Sequence, residues 1–265
     1  MKVKTPRKII VEPTFENFNP KHYLKTYYHK IDSENHGLLE FFVKVFEDIK
    51  KNSVMLEFGG GPTIYQLISA APKVRAIHFA DYLENNLNEV KLWKDKSPLA
   101  FNWNKFFKRA LLLEKNKRIT MKQIISRENL VRRKITKFLY CDAFKKDPID
   151  KKYRNYYDVL NINFVTESIT DKKEVWGTLI ENTCSMLKKG GILIMTAIKG
   201  AKYYHVGRKT FPATNIEEED IVEVLTRLGF EETKFILYSI PAEVENEELM
   251  GYTGYKGIIF LKAKK

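Results

Sequence analysis

Between Val54 and Tyr65 the chain reads Val-Met-Leu-Glu-Phe-Gly-Gly-Gly-Pro-Thr-Ile-Tyr, an apolar run that stops at three consecutive glycines and resumes at a proline-led helix start. Few folds accept that order. Without Cβ atoms at Gly59, Gly60 and Gly61 the backbone can bend sharply and let a ligand approach the amides that follow. Pro62 suits the first turn of a helix, and Thr63 follows it. The pattern is that of a nucleotide-binding turn. Its spacing is not the Gly-x-Gly-x-x-Gly of dinucleotide binders, and an acid, Glu57, just before the bend is more typical of folds that bind S-adenosylmethionine (SAM).

The flanking periodicity extends this into an architecture. Residues 36–50 place apolar groups at helical spacing and lead into the first strand; β-type runs follow at 76–81, 138–142, 157–165, 191–199, 234–240 and 257–262. Helical patterns fall at 66–71, 83–94, 172–188 and 217–228. Strand-helix alternation predicts an α/β fold, a Rossmann-like parallel sheet with helices on both faces. The last two runs are separated only by a polar loop, 243–254, and are expected to pair as an antiparallel hairpin at one edge. Seven strands with a terminal hairpin is the layout of class I methyltransferases.

At 265 residues the chain is expected to form one SAM-binding domain, 36–265, preceded by an N-terminal lid arm, 1–35. The net charge of +13 points toward a polyanion, but residues 105–137 alone hold seven lysines and five arginines against Glu114 and Glu128. That segment reads as a basic helical insertion with apolar residues at Phe106, Leu111, Ile119, Ile124, Ile125 and Leu130, either a solvated face or a surface for an anionic substrate or carrier. Cys141 and Cys184 have no metal-ligand spacing and are expected to be core thiols; no metal is expected. With no signal peptide and no run of ~20 apolar residues, a cytoplasmic monomer is expected, with neither a membrane nor a nucleic acid as partner.

In an open α/β sheet ligands collect outside the carboxyl ends of the strands. Asp81 ends the second run 24 residues after Glu57, near the separation at which an acid meets a ribose diol. Asp142 ends the third and is a candidate for the adenine amino group. Taken singly, either acid could instead be a helix N-cap.

Several of these residues resemble one family. The turn Gly61-Pro62-Thr63-Ile64-Tyr65, the stretch Asp81-Tyr82 with Asn86-Leu87 and Trp93, the segment Leu99-Ala100-Phe101-Asn102-Trp103, and the arm Phe15-x-x-Phe18-Asn19-Pro20-x-x-Tyr23-Leu24-x-x-Tyr27-Tyr28 are similar to the nicotinamide, phenylethanolamine and thioether methyltransferases. The resemblance runs from Phe15 to Lys262. It implies that Tyr23 and Tyr28 fold over SAM as a lid and that Gly59, Gly60, Gly61, Thr63 and Tyr65 hold its methionine part. It also implies that Asp81, Tyr82 and Asn86 take the ribose and neighbouring groups, that Cys141, Asp142 and Ala143 frame the adenine, and that Asn163 lines the site. Aromatic faces suit a sulfonium cation, and such a lid excludes water. Gly60 departs from the pattern, since many relatives carry serine there.

On the acceptor side the resemblance places Phe15, Phe164 and Tyr204 around the substrate and gives Glu167 the role of orienting or deprotonating an amine. Nicotinamide-type members carry an aspartate and serines where this chain has Thr196, Ala197, Ala201 and Ala213. Amine-binding members carry a second carboxylate where it has Lys199 or Gly200. Nicotinamide and catecholamines are therefore not the expected acceptors. Lys199, Lys202, Arg208 and Lys209 make the rim basic, which motivates an anionic acceptor. The expected activity is SAM-dependent methylation of a small molecule at an amine nitrogen, releasing S-adenosylhomocysteine. Three alternatives stand beside it: cyclisation of SAM to azetidine-2-carboxylate with release of methylthioadenosine, RNA methylation, and a non-catalytic SAM-binding scaffold.

Overall fold

The computed structural model describes residues 10–12, 14–115, 117–243 and 253–265; the first nine residues of the arm and most of the 243–254 loop lie outside the described residues. Seven strands form one sheet in the order β3 (Ile135–Tyr140), β2 (Val74–Asp81), β1 (Ser53–Phe58), β4 (Tyr157–Asn163), β5 (Leu187–Lys199), β9 (Gly257–Lys264) and β8 (Ile236–Pro241). The first five are parallel, and β9 runs antiparallel to both β5 and β8. Strand order reverses between β1 and β4, so their carboxyl ends open the crevice in which such sheets hold ligands.

Alternation along β1 divides the molecule into two cores. Met55 joins the cluster beneath α2 (Ser33–Glu47), α4 (Asn104–Lys115) and α5 (Met121–Lys134), where Phe41, Phe42, Phe46, Phe106 and Phe107 are all buried. Val54, Leu56 and Phe58 face the other cluster, built with α6 (Lys173–Cys184) and α7 (Glu218–Arg227). Because strand side chains alternate, Glu57 shares the side of Met55 and points toward the layer that carries the glycine turn and the arm.

The arm begins with α1 (Pro20–Tyr27). Asn19 caps it by accepting from the His22 amide at 3.0 Å, and Pro20 occupies the first turn, a local reason for the Asn-Pro pair. The amide side chain of Asn35 then donates to the Tyr27 carbonyl at 2.8 Å and ties α1 to α2. The structure has α3 (Glu84–Lys94) where the sequence places a helix, and the basic segment forms the two helices α4 and α5. Of its expected apolar contacts Ile125 is exposed and Leu130 only half-buried.

Two expectations are corrected. The 66–71 helix is absent: the glycine turn leads into a short 3-10 turn, Tyr65–Leu67, and single turns up to β2. Few residues separate the turn from β2, and Pro72 interrupts them, so no full helix develops. A separate hairpin, β6 (Tyr203–Val206) with β7 (Lys209–Pro212), was not foreseen. It is joined by Gly207 at φ 61° and Arg208, and it becomes one wall of the site. Among the described residues no helix is long and apolar enough to cross a membrane. Cys141 and Cys184 are buried free thiols.

Candidate active site

Gly59 sits at φ 63°, and a Cβ there would lie 2.6 Å from Val165 on the loop after β4. The turn and the acceptor loop therefore touch through the missing side chain. At Gly60 a Cβ would lie 2.3 Å from the Phe79 ring and 2.9 Å from the Glu57 side chain, so the serine of other family members has no room in this chain. The Gly60 amide donates to the Ala80 carbonyl at 3.1 Å, holding the turn on β2.

Beneath the turn, Glu57 is fully buried among amides. It accepts from Asn161 at 2.6 Å, Gln66 at 3.1 Å and Asn163 at 3.3 Å, and burial pushes its pKa up to about 8. Asn163 also accepts from Thr196 at 3.0 Å, while Thr63 donates to the Gly60 carbonyl at 2.8 Å. These side chains brace the turn from below. A raised carboxyl pKa means that the fold holds the neutral form: this stability is complete below the unfolded value near 4.5 and is lost as pH rises through about 8. Wild type should accordingly lose several degrees of melting temperature between pH 4 and pH 9, and Glu57→Gln, which does not titrate, should lose less. An equal fall in both proteins would mean that Glu57 does not change its protonation over this range.

At the end of β2, Asp81 is almost wholly buried, which raises its pKa. One carboxylate oxygen accepts from the Gly61 amide at 2.8 Å, the other from the Leu83 amide at 2.8 Å and from Asn86 at 3.0 Å. The capping alternative is thus realised, since Asp81 fastens the start of α3, yet the oxygen facing Gly61 keeps a free lone pair. The Asn86 side-chain oxygen is buried without a partner. β3 stops at Tyr140, so Cys141, Asp142 and Ala143 lie just past its end rather than within it. Asp142 accepts from the Phe144 amide at 3.0 Å, and the Ala143 carbonyl accepts from Asn182 at 3.0 Å. Tyr82 and Tyr140 are both 53% exposed, with ring centres 5.5 Å apart beside these acids. Tyr140 was missed from sequence because it reads as an ordinary strand residue.

The arm closes the crevice. Tyr28 is buried against Tyr65, Trp103 and Phe106, at 5.1, 5.5 and 5.9 Å between ring centres. Tyr23 lies next to Tyr28 at 5.7 Å and is only half-buried. The Tyr27 hydroxyl donates to the His205 carbonyl at 2.6 Å, Glu12 pairs with Lys209 at 2.8 Å, and the Glu12 amide donates to the Thr210 carbonyl at 2.8 Å. Arm and hairpin are therefore tied into one unit. Phe211, unnoticed in the sequence, stacks between Tyr204 at 5.5 Å and Phe15 at 5.3 Å. Phe15 thus meets Phe211 and stands one ring away from Tyr204.

Phe164 holds φ at 56°, a left-handed conformation that a bulky side chain rarely adopts, with its amide bonded to the Thr196 carbonyl at 2.8 Å. Such strain collects at functional sites. Three residues on, Glu167 is fully buried. One of its carboxylate oxygens accepts from the Ile198 amide at 3.1 Å, and the other is buried without a partner. Burial pushes its pKa up to about 7, and its charge helps to raise the pKa of the Tyr23 and Tyr204 phenols. On the rim, Lys199 pairs with Glu218 at 2.7 Å and Glu217 at 3.4 Å. With Lys209 held by Glu12, only Lys202 and Arg208 of the four rim cations lack an ion pair among the described residues. Nor is there, among them, a group of three or more His, Cys, Asp or Glu placed to hold a metal.

A glycine cradle, the unpartnered buried oxygens of Asn86 and Glu167 and an aromatic roof fit a nucleoside carrying a cationic centre. Comparisons with known proteins agree. The chain is 28% identical to nicotinamide N-methyltransferase of Sus scrofa, covering 88% of this chain and 90% of that one. It is 26% identical to indolethylamine N-methyltransferase of Mus musculus over 94% of each, and 26% identical to phenylethanolamine N-methyltransferase of Mus musculus over 97% of this chain and 88% of that one. Among solved structures, a SAM-dependent methyltransferase from Methanosarcina mazei aligns with a TM-score of 0.55 at 11% identity, covering 84% of this chain and 96% of its own. The complex of DhpI with SAM and HEP aligns with a TM-score of 0.54 at 11% identity, over 93% and 92%. These structures share the fold. The cyclisation and RNA alternatives gain no support from any of these relatives. The model of the NNMT/PNMT/TEMT family matches residues 8–265, and the chain belongs to that family of SAM-dependent methyltransferases acting on small molecules.

Proposed function

We propose that this enzyme methylates an amine nitrogen, with Glu167 receiving the amine. The observation that carries this reading is the unpartnered, fully buried oxygen of Glu167. A buried acceptor atom without a donor is costly, and an ammonium or amine N–H would satisfy it. SAM, when bound, supplies an electrophilic methyl group on its sulfonium. We assign Gly59, Gly60, Gly61, Thr63 and Tyr65 to its methionine part, Asp81 and Asn86 to the ribose, and Tyr82, Cys141, Asp142 and Ala143 to the adenine. Asn163 supports the site through Glu57, while Tyr23 and Tyr28 cover it. Phe164 and Tyr204 flank the acceptor, and Phe15 acts behind them through Phe211.

The attacking nitrogen must carry a lone pair, so Glu167 takes the proton of an incoming ammonium onto its free oxygen and holds the N–H that remains. The rest of the work is alignment and exclusion of water, which the lid supplies. Support for an anionic acceptor shrinks to Lys202 and Arg208, because Lys199 and Lys209 are neutralised within the protein. A monomer in the cytoplasm belongs to the same proposal. Mass spectrometry of the full chain incubated with SAM and a panel of small amines should find S-adenosylhomocysteine and an N-methylated amine. Methylthioadenosine formed from SAM alone would overturn the reading.

A further inference from the structure

Both glutamates of the basic segment are already engaged. Arg127 grips Glu114 at 2.6 Å, and Arg132 pairs with Glu128 at 3.3 Å while stacking on Trp93 at 4.2 Å. Of the ten cations that remain, Arg109 bonds to His36, Lys137 to Tyr153 and Lys134 is half-buried, while seven face outward. Lys105, Lys108 and Lys115 of α4, Lys122 and Arg133 of α5, and Lys117 and Arg118 between the helices are exposed and make no ion pair among the described residues. The opposite faces of the two helices, with Phe106, Phe107, Ala110 and Leu111 on α4 and Ile124 and Val131 on α5, are buried in the core. The cations therefore cover the outer surface of one helical layer.

Aliphatic side chains protrude beside them. Leu99 is 72% exposed, Met121 55% and Ile125 49%. Met121 and Ile125 lie one turn apart on α5. Ile125 also lines a cleft of about 340 Å³ together with Ser97, Ala100 and Phe101, from the loop that carries Leu99. On that loop Asp95 stands between Lys94 and Lys96, so its balance is also positive.

We propose that the outer face of α4 and α5 docks on an anionic lipid bilayer, its lysines over the headgroups and Leu99, Met121 and Ile125 entering the acyl boundary. Charge complementarity alone would admit any polyanion, and two features select lipid. Single-stranded RNA is held by aromatic stacking, but residues 104–134 expose no aromatic ring. Specific protein interfaces are depleted in lysine, whereas five of the seven free cations here are lysines. Mobile lysines interspersed with aliphatic tips suit a fluid anionic surface. This departs from the expectation of no membrane partner, which rested on the lack of a spanning segment; surface docking needs none.

Sedimentation of the full chain with vesicles tests the proposal. At about 0.1 M salt, phosphatidylcholine vesicles containing about 30 mol % phosphatidylglycerol should bind at least roughly tenfold more tightly than phosphatidylcholine alone. The triple variant Lys105→Glu, Lys122→Glu, Arg133→Glu should lose that advantage. The triple variant Leu99→Ser, Met121→Ser, Ile125→Ser should bind anionic vesicles about threefold or more weakly. All six positions are exposed, so unchanged melting curves serve as the folding control. Equal binding to both lipids, or anionic binding indifferent to the aliphatic variant, overturns the proposal. So does tighter binding of a single-stranded RNA oligomer than of anionic vesicles at the same salt.

Discussion

Glu167→Gln lowers kcat by about two to three orders of magnitude while SAM binds within about twofold of wild type. The two carboxylate oxygens explain the split. The oxygen bonded to the Ile198 amide positions the side chain, and an amide oxygen can keep that bond. The unpartnered oxygen is the one that receives the amine, and glutamine places there an NH₂ that repels it and cannot take a proton. Burial holds the wild-type pKa at about 7, so the active carboxylate forms only as pH rises through that value. The ascending limb of kcat/KM in wild type should centre near pH 7, well above an ordinary glutamate, and should vanish in the variant. Stopped assays from pH 5 to 9, paired with calorimetric SAM binding, separate the cases. Full activity in the glutamine variant would remove Glu167 from the chemistry.

Asp81→Ala is expected to weaken SAM and S-adenosylhomocysteine equally, by about a hundredfold or more. A hydrogen bond to a charged group contributes roughly 1.5–3 kcal/mol, and the lone pair left on Asp81 can accept one ribose hydroxyl. Asp81 also fastens the Gly61 and Leu83 amides, so part of the loss comes from a loosened turn. Asp81→Asn, whose single acceptor oxygen can keep only one of these two amides, should recover part of the melting temperature but little of the affinity. The ribose is common to both nucleosides, so their affinity ratio must not change. A well-folded alanine variant that binds SAM within about fivefold of wild type would reduce Asp81 to a helix cap.

Legibility in the sequence followed the range of the interactions. The glycine turn, the strand-helix alternation and the terminal hairpin depend on neighbours in the chain and were readable there. The overlong helix at 66–71 was a local misreading, since apolar spacing does not register how little chain remains before β2. The β6–β7 hairpin was invisible because its strands are four residues long and its main partner is the distant arm.

By itself the sequence determined the doubly wound sheet and the end of it at which the crevice opens, because backbone propensity and side-chain periodicity are local. Tertiary structure alone decided what the residues around that crevice face. It set Phe79 against Gly60 and left no room for a side chain, wrapped Glu57 in amides from β4 about a hundred positions away, neutralised Lys199 with α7 and Lys209 with the arm, and left one oxygen of Glu167 bare. Burial and pairing are set by chain segments that meet only on folding, and they decide whether a charge is engaged or available for chemistry.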